Sequence, residues 1–189
     1  MTRSSTLHEY TYAEYLAHEA ASNVKHEYLS GEIYAMAGGS PAHAELSVAV
    51  SSALRAQLRD ASCRVFSSDL RVRVAATGLA TYPDVTVVCG SLERDGESGD
   101  TVLNPRVLVE VLSDSTERYD RGEKFEHYKR IPALEEYVLV SQKATHIELW
   151  RRDGASWRRH EAGAGESVTL ESIGCTLDVD ELYRGVLDE

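Results

Sequence analysis

The chain has little with which to bridge itself, cross a membrane or coat a polyanion. Its three cysteines, Cys63, Cys89 and Cys175, are far apart, odd in number and without a C-x-x-C spacing. That excludes a zinc knuckle and a disulfide framework, and the three read as reduced, mostly buried thiols. No run approaches the roughly 18 apolar residues of a membrane span, and the N-terminal MTRSSTLHEYTYAEY lacks the apolar core of a secretion signal. A cytoplasmic protein without membrane contact is expected. Positive charge is scarce, with 20 Lys and Arg against 31 Asp and Glu and a net charge of −11. A general positive field for coating nucleic acid is therefore excluded, and any such surface must be local. No repeat, low-complexity tract or linker is visible. With 189 residues and 42% hydrophobic content, one domain over 1–189 with one sizeable core is expected.

Against this background two carboxylates stand in unusual places. TYPDVTVVCG (81–90) and PRVLVEVLSDST (105–116) both read as short buried strands, apolar runs rich in β-branched residues and bounded by Pro, Gly, Ser and Asp. Each encloses one acid, Asp84 and Glu110. A carboxylate among valines costs several kcal/mol to bury uncompensated, so a cation, a proton or a basic side chain must balance it. The candidate basic side chain comes 14 residues after Glu110, as Lys124 in DRGEKFEHYKR.

The remaining elements are set by local signals. Thr11-Tyr12-Ala13-Glu14 is a capping box that starts a helix running to about Ala21. HEYL and EIYAMA form a hairpin around Ser30-Gly31. Ser40 and Pro41 sit at the N-cap and first position of a helix over 41–60, with Ala42, Leu46, Ala49, Ala53 and Leu58 on its core face. RVFSSDLRVRV (64–74) reads as one half-buried strand with Arg71 and Arg73 on a basic outer face. LERDGESGD reads as an exposed loop, and a helix is expected over about 117–130, stopped by Pro132, with Lys124 exposed on it. Three more strands and a short helix capped by Asp178 or Asp180 complete the chain. This order points to an α+β fold, an α/β sandwich with a mixed β-sheet flanked by helices.

P-D before an apolar strand, E-V-L-S in the next and D-x-x-x-K-x-x-x-Y after it resemble the PD-(D/E)xK nuclease superfamily. The ordered set HEYLSGEIYAMAGGSPAH, SDLRVRV, YPDVTVV, PRVLVEVLSDST and KFEHYKRIPALEEYVLV more closely resembles its Uma-two branch of restriction-endonuclease-type proteins, over nearly the whole chain. The resemblance implies a restriction-endonuclease-like fold, a Mg²⁺- or Mn²⁺-dependent endonuclease acting on DNA, and a homodimer. It implies Asp84, Glu110 and the Val111 carbonyl as metal ligands. Leu112 fills the position where the superfamily pattern has its lysine, and the resemblance implies that Lys124 supplies that group from the following helix. Glu27 and His43 match further family positions, as an acid and as a possible phosphate contact; Tyr128 shares the helix face of Lys124. Such a site suits phosphodiester hydrolysis, because a hard divalent ion held by one or two carboxylates neutralises transition-state charge. Arg71 and Arg73 are the leading candidates for phosphate contacts. A non-catalytic binding member and a hydrolase of small phosphate compounds are the alternatives from other classes.

Overall fold

The computed structural model describes residues 8–187. The ends of the expected 1–189 domain, residues 1–7 and 188–189, lie outside the described residues.

Helix α1 (Tyr12–Ala21) begins on the expected capping box: Thr11 Oγ1 accepts from Glu14 N at 3.2 Å, and Glu14 Oε2 accepts from Thr11 N at 2.7 Å. Strands β1 (His26–Leu29) and β2 (Glu32–Ala35) form the expected hairpin. Its two central residues, Ser30 and Gly31, have φ of 51° and 89°, the positive values that a two-residue hairpin turn requires. Helix α2 (Pro41–Gln57) has Ser40 as N-cap, with Ser40 Oγ accepting from His43 N, and it buries Leu46, Val50 and Leu54 completely.

The strand expected over 64–74 is two strands. Ser67 Oγ accepts from Asp69 N, Leu70 N bonds Ser67 O at 3.1 Å, and Lys25 Nζ holds Ser68 O at 2.9 Å. These local bonds compete with ladder pairing and break the run. The halves, β3 (Cys63–Ser67) and β4 (Arg71–Arg73), then enter different sheets. After β5 (Ala80–Thr81) come β6 (Val85–Cys89), β7 (Thr101–Val102) and β8 (Val107–Leu112). The helix expected over 117–130 is likewise divided, into α3 (Glu117–Arg121) and α4 (Glu123–Tyr128), at Gly122 with φ −114° and ψ −102°. Strands β9 (Glu136–Ser141), β10 (His146–Asp153) and β11 (Ser156–Gly163) match the expectation. A hairpin of β12 (Ser167–Leu170) and β13 (Cys175–Asp178), which sequence inspection does not separate, precedes α5 (Val179–Tyr183). Asp178 caps that helix through Glu181 N at 2.9 Å.

The larger sheet has the order β11-β10-β9-β8-β6-β3, mixed because β8 and β9 are parallel while its other pairings are antiparallel. The smaller sheet has the order β2-β1-β5-β4-β7. One face of the larger sheet packs on α2, α5 and the β12–β13 hairpin through Leu46, Val50, Val85, Val109, Val138 and Leu177. The opposite face packs Leu108, Leu112 and Leu139 against Phe125, Tyr128 and Ile131. The α+β expectation, a mixed sheet flanked by helices, matches this architecture.

One expectation about the thiols is corrected. Cys63 and Cys89 stand opposite each other in the β3–β6 register and are joined as a disulfide, while Cys175 is free and buried. A separation of 26 residues says nothing about cross-strand adjacency, so spacing alone could not reveal the pair. By loop closure the bridge should stabilise the fold by about 3 to 4 kcal/mol. At this chain length that corresponds to about 10 °C in Tm. Melts with and without a thiol reductant should differ by that amount, and equal melts would show that the two sulfurs are not joined in solution.

Candidate active site

Strand β8 is covered on both faces. Val107, Val109 and Val111 join the core beneath α2, whereas Leu108 and Leu112 join the opposite core, and Glu110 falls between those two leucines with 4% exposure. Leu112, in the place of the pattern's lysine, is thus an ordinary core residue. Extending the β6–β8 register one step past Val85↔Val109 sets Asp84 opposite Glu110. Here the ladder ends, and the Asp84 side chain takes over the next rung: its Oδ2 accepts from Val111 N at 2.7 Å.

A strand can reach a parallel neighbour only through a crossover, and α3 and α4 lie in the one that joins β8 to β9. Lys124, on α4, is 4% exposed rather than exposed as expected. Its Nζ lies 3.0 Å from Glu110 Oε1, 3.0 Å from Glu27 Oε1 and 3.4 Å from Asp120 Oδ1. Burial of this ammonium is possible because three carboxylates meet it. Tyr128, one helical turn on, donates its hydroxyl to Glu110 Oε1 at 2.7 Å. Glu27 arrives on β1 and also accepts from Thr81 Oγ1. His43, in the first turn of α2, places Nε2 3.2 Å from Asp84 Oδ2. Gly39 makes that possible, since a Cβ there would stand 2.6 Å from the imidazole Nδ1.

This crowding sets the electrostatics. Burial pushes the Glu110 carboxyl up, with Lys124 opposing and Asp120 and Asp84 adding to the rise. Burial likewise raises Asp120 against the pull of Lys124. For Lys124 burial alone would lower the ammonium, but Glu110, Glu27 and Asp120 outweigh it and hold it well above its ordinary range. The hydrogen bond to Asp84 raises His43 against burial, with a smaller push from the Val111 backbone. Four acids therefore share one lysine and one histidine, and the cluster favours a further cation or a retained proton.

Glu27, His43, Asp84, Glu110, Asp120 and Lys124 line one cleft of about 290 Å³, to which Val111 and the polar corner at Ser113, Ser115 and Thr116 also contribute. Among the described residues no three His, Cys, Asp or Glu side chains form a ready metal cage. The donor set nevertheless fits a hard ion that keeps several waters. Asp84 and Glu110 each spend one oxygen on protein contacts, and Asp84 Oδ1 and Glu110 Oε2 have no protein partner among the described residues.

Arg71 and Arg73 are not brought here, which corrects the basic outer face. Strand β4 lies between β5 and β7, and Arg71, 8% exposed, donates to Thr101 Oγ1 at 2.8 Å, Tyr82 Oη at 3.1 Å and Ser98 Oγ at 3.0 Å. Arg73 pairs with Asp95 at 2.7 Å and Glu97 at 3.1 Å. Asp95 is itself buried, so the 92–100 loop is anchored by that pair rather than wholly exposed as expected. Asp120, the first residue of D-x-x-x-K-x-x-x-Y, is the site residue missing from the candidates that the sequence supplies. The D-x-x-x-K-x-x-x-Y spacing, which puts Asp120, Lys124 and Tyr128 on one face, was its available signal.

A family model described as "Putative restriction endonuclease", Uma2, matches residues 12–180. The chain belongs to the Uma2 family. Among its relatives, protein slr1290 of Synechocystis is 41% identical over 174 residues, covering 92% of this chain and 90% of that protein. Protein sll1609 of the same organism is 35% identical over 162 residues, covering 85% and 91%. A solved structure from Anabaena variabilis, described as a putative nuclease belonging to DUF820, superposes with a TM-score of 0.72 at 16% identity, covering 88% of this chain and 93% of that one. That likeness shows a shared restriction-endonuclease-like fold, and Uma2 membership places the chain in a nuclease-type family.

The Uma2 cluster makes a stability prediction. Removing one partner of a buried ion pair costs about 3 to 5 kcal/mol, so Lys124→Ala should lose that much at pH 8. Because the Glu110 and Asp120 carboxyls are raised in the folded state, their contribution is complete below the ordinary carboxylate range and is lost as pH rises. Urea melts should therefore show the variant nearing the wild type at about pH 4 to 5. A deficit independent of pH would contradict the charge balance.

Proposed function

We propose that this Uma2 protein, acting as a single domain, is a nuclease that hydrolyses DNA phosphodiester bonds with Mg²⁺ or Mn²⁺. The ion would be held by Asp84, Glu110 and the Val111 carbonyl. The observation that carries this reading is the pair of oxygens without a protein partner among the described residues, Asp84 Oδ1 and Glu110 Oε2, on carboxylates that the β6–β8 register sets opposite each other and beside a buried, charged Lys124. When bound, such an ion supplies Lewis acidity, lowering the pKa of a water and neutralising charge on the phosphorane-like transition state.

The chain's own groups do the positioning. Val111 N and His43 fix Asp84, and Tyr128 with Lys124 fixes Glu110, so neither carboxylate must reorganise when charge develops. The Lys124 ammonium, held protonated by Glu110, Glu27 and Asp120, can orient the attacking water and stabilise a non-bridging phosphate oxygen. The water oxygen forms a bond to phosphorus as the bond to one sugar oxygen breaks, the water gives one proton to solvent, and the departing sugar oxygen takes one up from solvent. His43, beside Asp84 and charged when protonated, can donate to the phosphate. The non-catalytic reading draws on Leu112 in the lysine position and on the acidic net charge, and delivery of Lys124 to Glu110 from α4 answers the first of these.

Two measurements test it. Millimolar Mn²⁺ or Mg²⁺ should raise the melting temperature of the wild type, by about 2.7 kcal/mol of stability at a hundred times Kd. Asp84→Ala should show no rise, and an unmoved wild type would remove the metal site. On a plasmid or oligonucleotide substrate Glu110→Gln should be inactive, and Lys124→Met, which keeps the stem and loses the charge, should fall about a hundredfold to a thousandfold. If Lys124→Met cuts as fast as the wild type while Glu110→Gln is dead, Lys124 is a structural counter-ion and another group activates the water.

A further inference from the structure

A second cavity of about 610 Å³ adjoins the cleft and shares with it Met36, Ala37, Gly38, Gly39, His43 and Asp84. Its composition is unlike that of the molecule around it. On a chain of net charge −11 its lining holds one acid, the shared Asp84, with Lys25, Arg55 and five serines. Much of that wall is one stripe of α2: positions 44, 47, 48, 51, 52 and 55 share a helix face, while Leu46, Val50 and Leu54 are turned into the core. Ser47 Oγ donates to His43 O at 2.8 Å, but the Ser51 and Ser52 hydroxyls have no protein partner among the described residues. The charge of Lys25 is offset by Asp69 at 2.6 Å. Arg55, exposed, has no carboxylate within 4.0 Å among the described residues. On the same stripe Val48 is 65% exposed, and in the wall of the cleft, two residues before the shared Met36, Tyr34 is 49% exposed.

We propose that the two cavities form one path for a single strand of nucleic acid, running from Tyr34 through the carboxylate cleft and past His43 to Ser51, Ser52 and Arg55. This deepens, and rests on, the nuclease reading by naming its substrate class. Free hydroxyls and one uncompensated guanidinium suit a phosphodiester backbone, and an exposed aromatic ring is a platform on which any base can stack. A recess of about 610 Å³ falls in the range, about 300 to 1,000 Å³, that encloses a small ligand or a nucleotide-sized portion of a chain. A duplex also brings one charge per roughly 1.7 Å, against one per 3.4 Å for a strand, toward an acidic protein. Because Tyr34 lines the cleft and not the second cavity, while Ser51, Ser52 and Arg55 line the second cavity and not the cleft, the path is longer than the cleft that holds Asp84 and Glu110, which fits internal cleavage.

The test is fluorescence anisotropy of a labelled twelve-nucleotide oligothymidylate in EDTA, where no turnover occurs, with the wild type, Arg55→Ala and Tyr34→Ala. Both residues are exposed, so neither substitution threatens the core. Each variant should bind about five- to tenfold more weakly. Arg55→Ala should also reduce the slope of log affinity against log salt by about 0.7, whereas Tyr34→Ala should leave that slope unchanged, and unlabelled duplex should compete less well than unlabelled strand. Absent binding, equal binding by all three proteins, or preference for duplex would overturn the proposal. Hydrolysis of bis(4-nitrophenyl) phosphate by the wild type with Mn²⁺, lost in Glu110→Gln, reports on the cleft alone. If that diester is cleaved and the variants bind normally, the path fails and the nuclease reading stands; if it is untouched while oligonucleotide binding shows the stated pattern, the path stands and the nuclease reading fails.

Discussion

An ammonium buried among three carboxylates is the constraint around which this molecule is arranged. Lys124 can leave water only because Glu27, Glu110 and Asp120 surround it, and Glu110 can sit between two core leucines only because Lys124 and Tyr128 reach it. Neither side of that balance is stable alone, since an isolated buried charge costs several kcal/mol. The balance is also incomplete, with more acid than base, and that surplus makes the cleft receptive to a cation.

The fold serves this arrangement by joining distant parts of the chain. Glu27 rides on the smaller sheet, His43 on the helix over one face of the larger sheet, Asp84 on the residue just before its strand β6, Glu110 within β8, and Lys124 on the crossover. The two sheets therefore meet chemically at the cleft, where the Lys124 ammonium ties β1 to β8. Glu110 lies one step beyond the last β6–β8 pair, while β8 stays paired with β9 through Leu112. A buried strand and a polar site coexist there because the site begins where pairing with β6 stops and the Asp84 side chain takes the place of a backbone partner.

Only structure that is decided locally could be read from the residues alone. Thr11 with Glu14, Ser30 with Gly31, and Ser40 with Pro41 name their structures because each involves neighbours within four positions. Asp84 and Glu110 were legible for a different reason: a carboxylate inside an apolar run conflicts with burial, and the conflict marks a site. The failures share one cause, in that each depended on what packs from elsewhere. Arg71 alternates with valines as a surface arginine would, yet Thr101, Tyr82 and Ser98 enclose it from later in the chain. Lys124 shows the periodicity of a solvent-facing residue, and only β1 and β8 bury it. Cys63 faces Cys89 through a register that neither segment encodes by itself.

The division of the crossover at Gly122 bears on how much the length of the chain can vary. Asp120 and Lys124 flank the break, and both must point into the cleft although they belong to separate short helices. One residue added within α3 or α4 turns the remainder of that helix by about 100°, enough to carry the ammonium away from Glu110 and leave its carboxylate stranded. The turn at Asp153-Gly154 joins adjacent antiparallel strands and lines no part of the cleft, so its length is constrained only by hairpin geometry. The β9–β10 turn is instead tied to the site's surroundings, with Gln142 accepting from Ser40 Oγ at 2.5 Å and Lys143 pairing with Asp114 at 2.7 Å. Insertions and deletions among relatives should therefore gather in the Asp153-Gly154 turn and be absent between Ser113 and Tyr128, which makes the spacing from Glu110 to Lys124 a sharper mark of a working cleft than the identity of the residues between them.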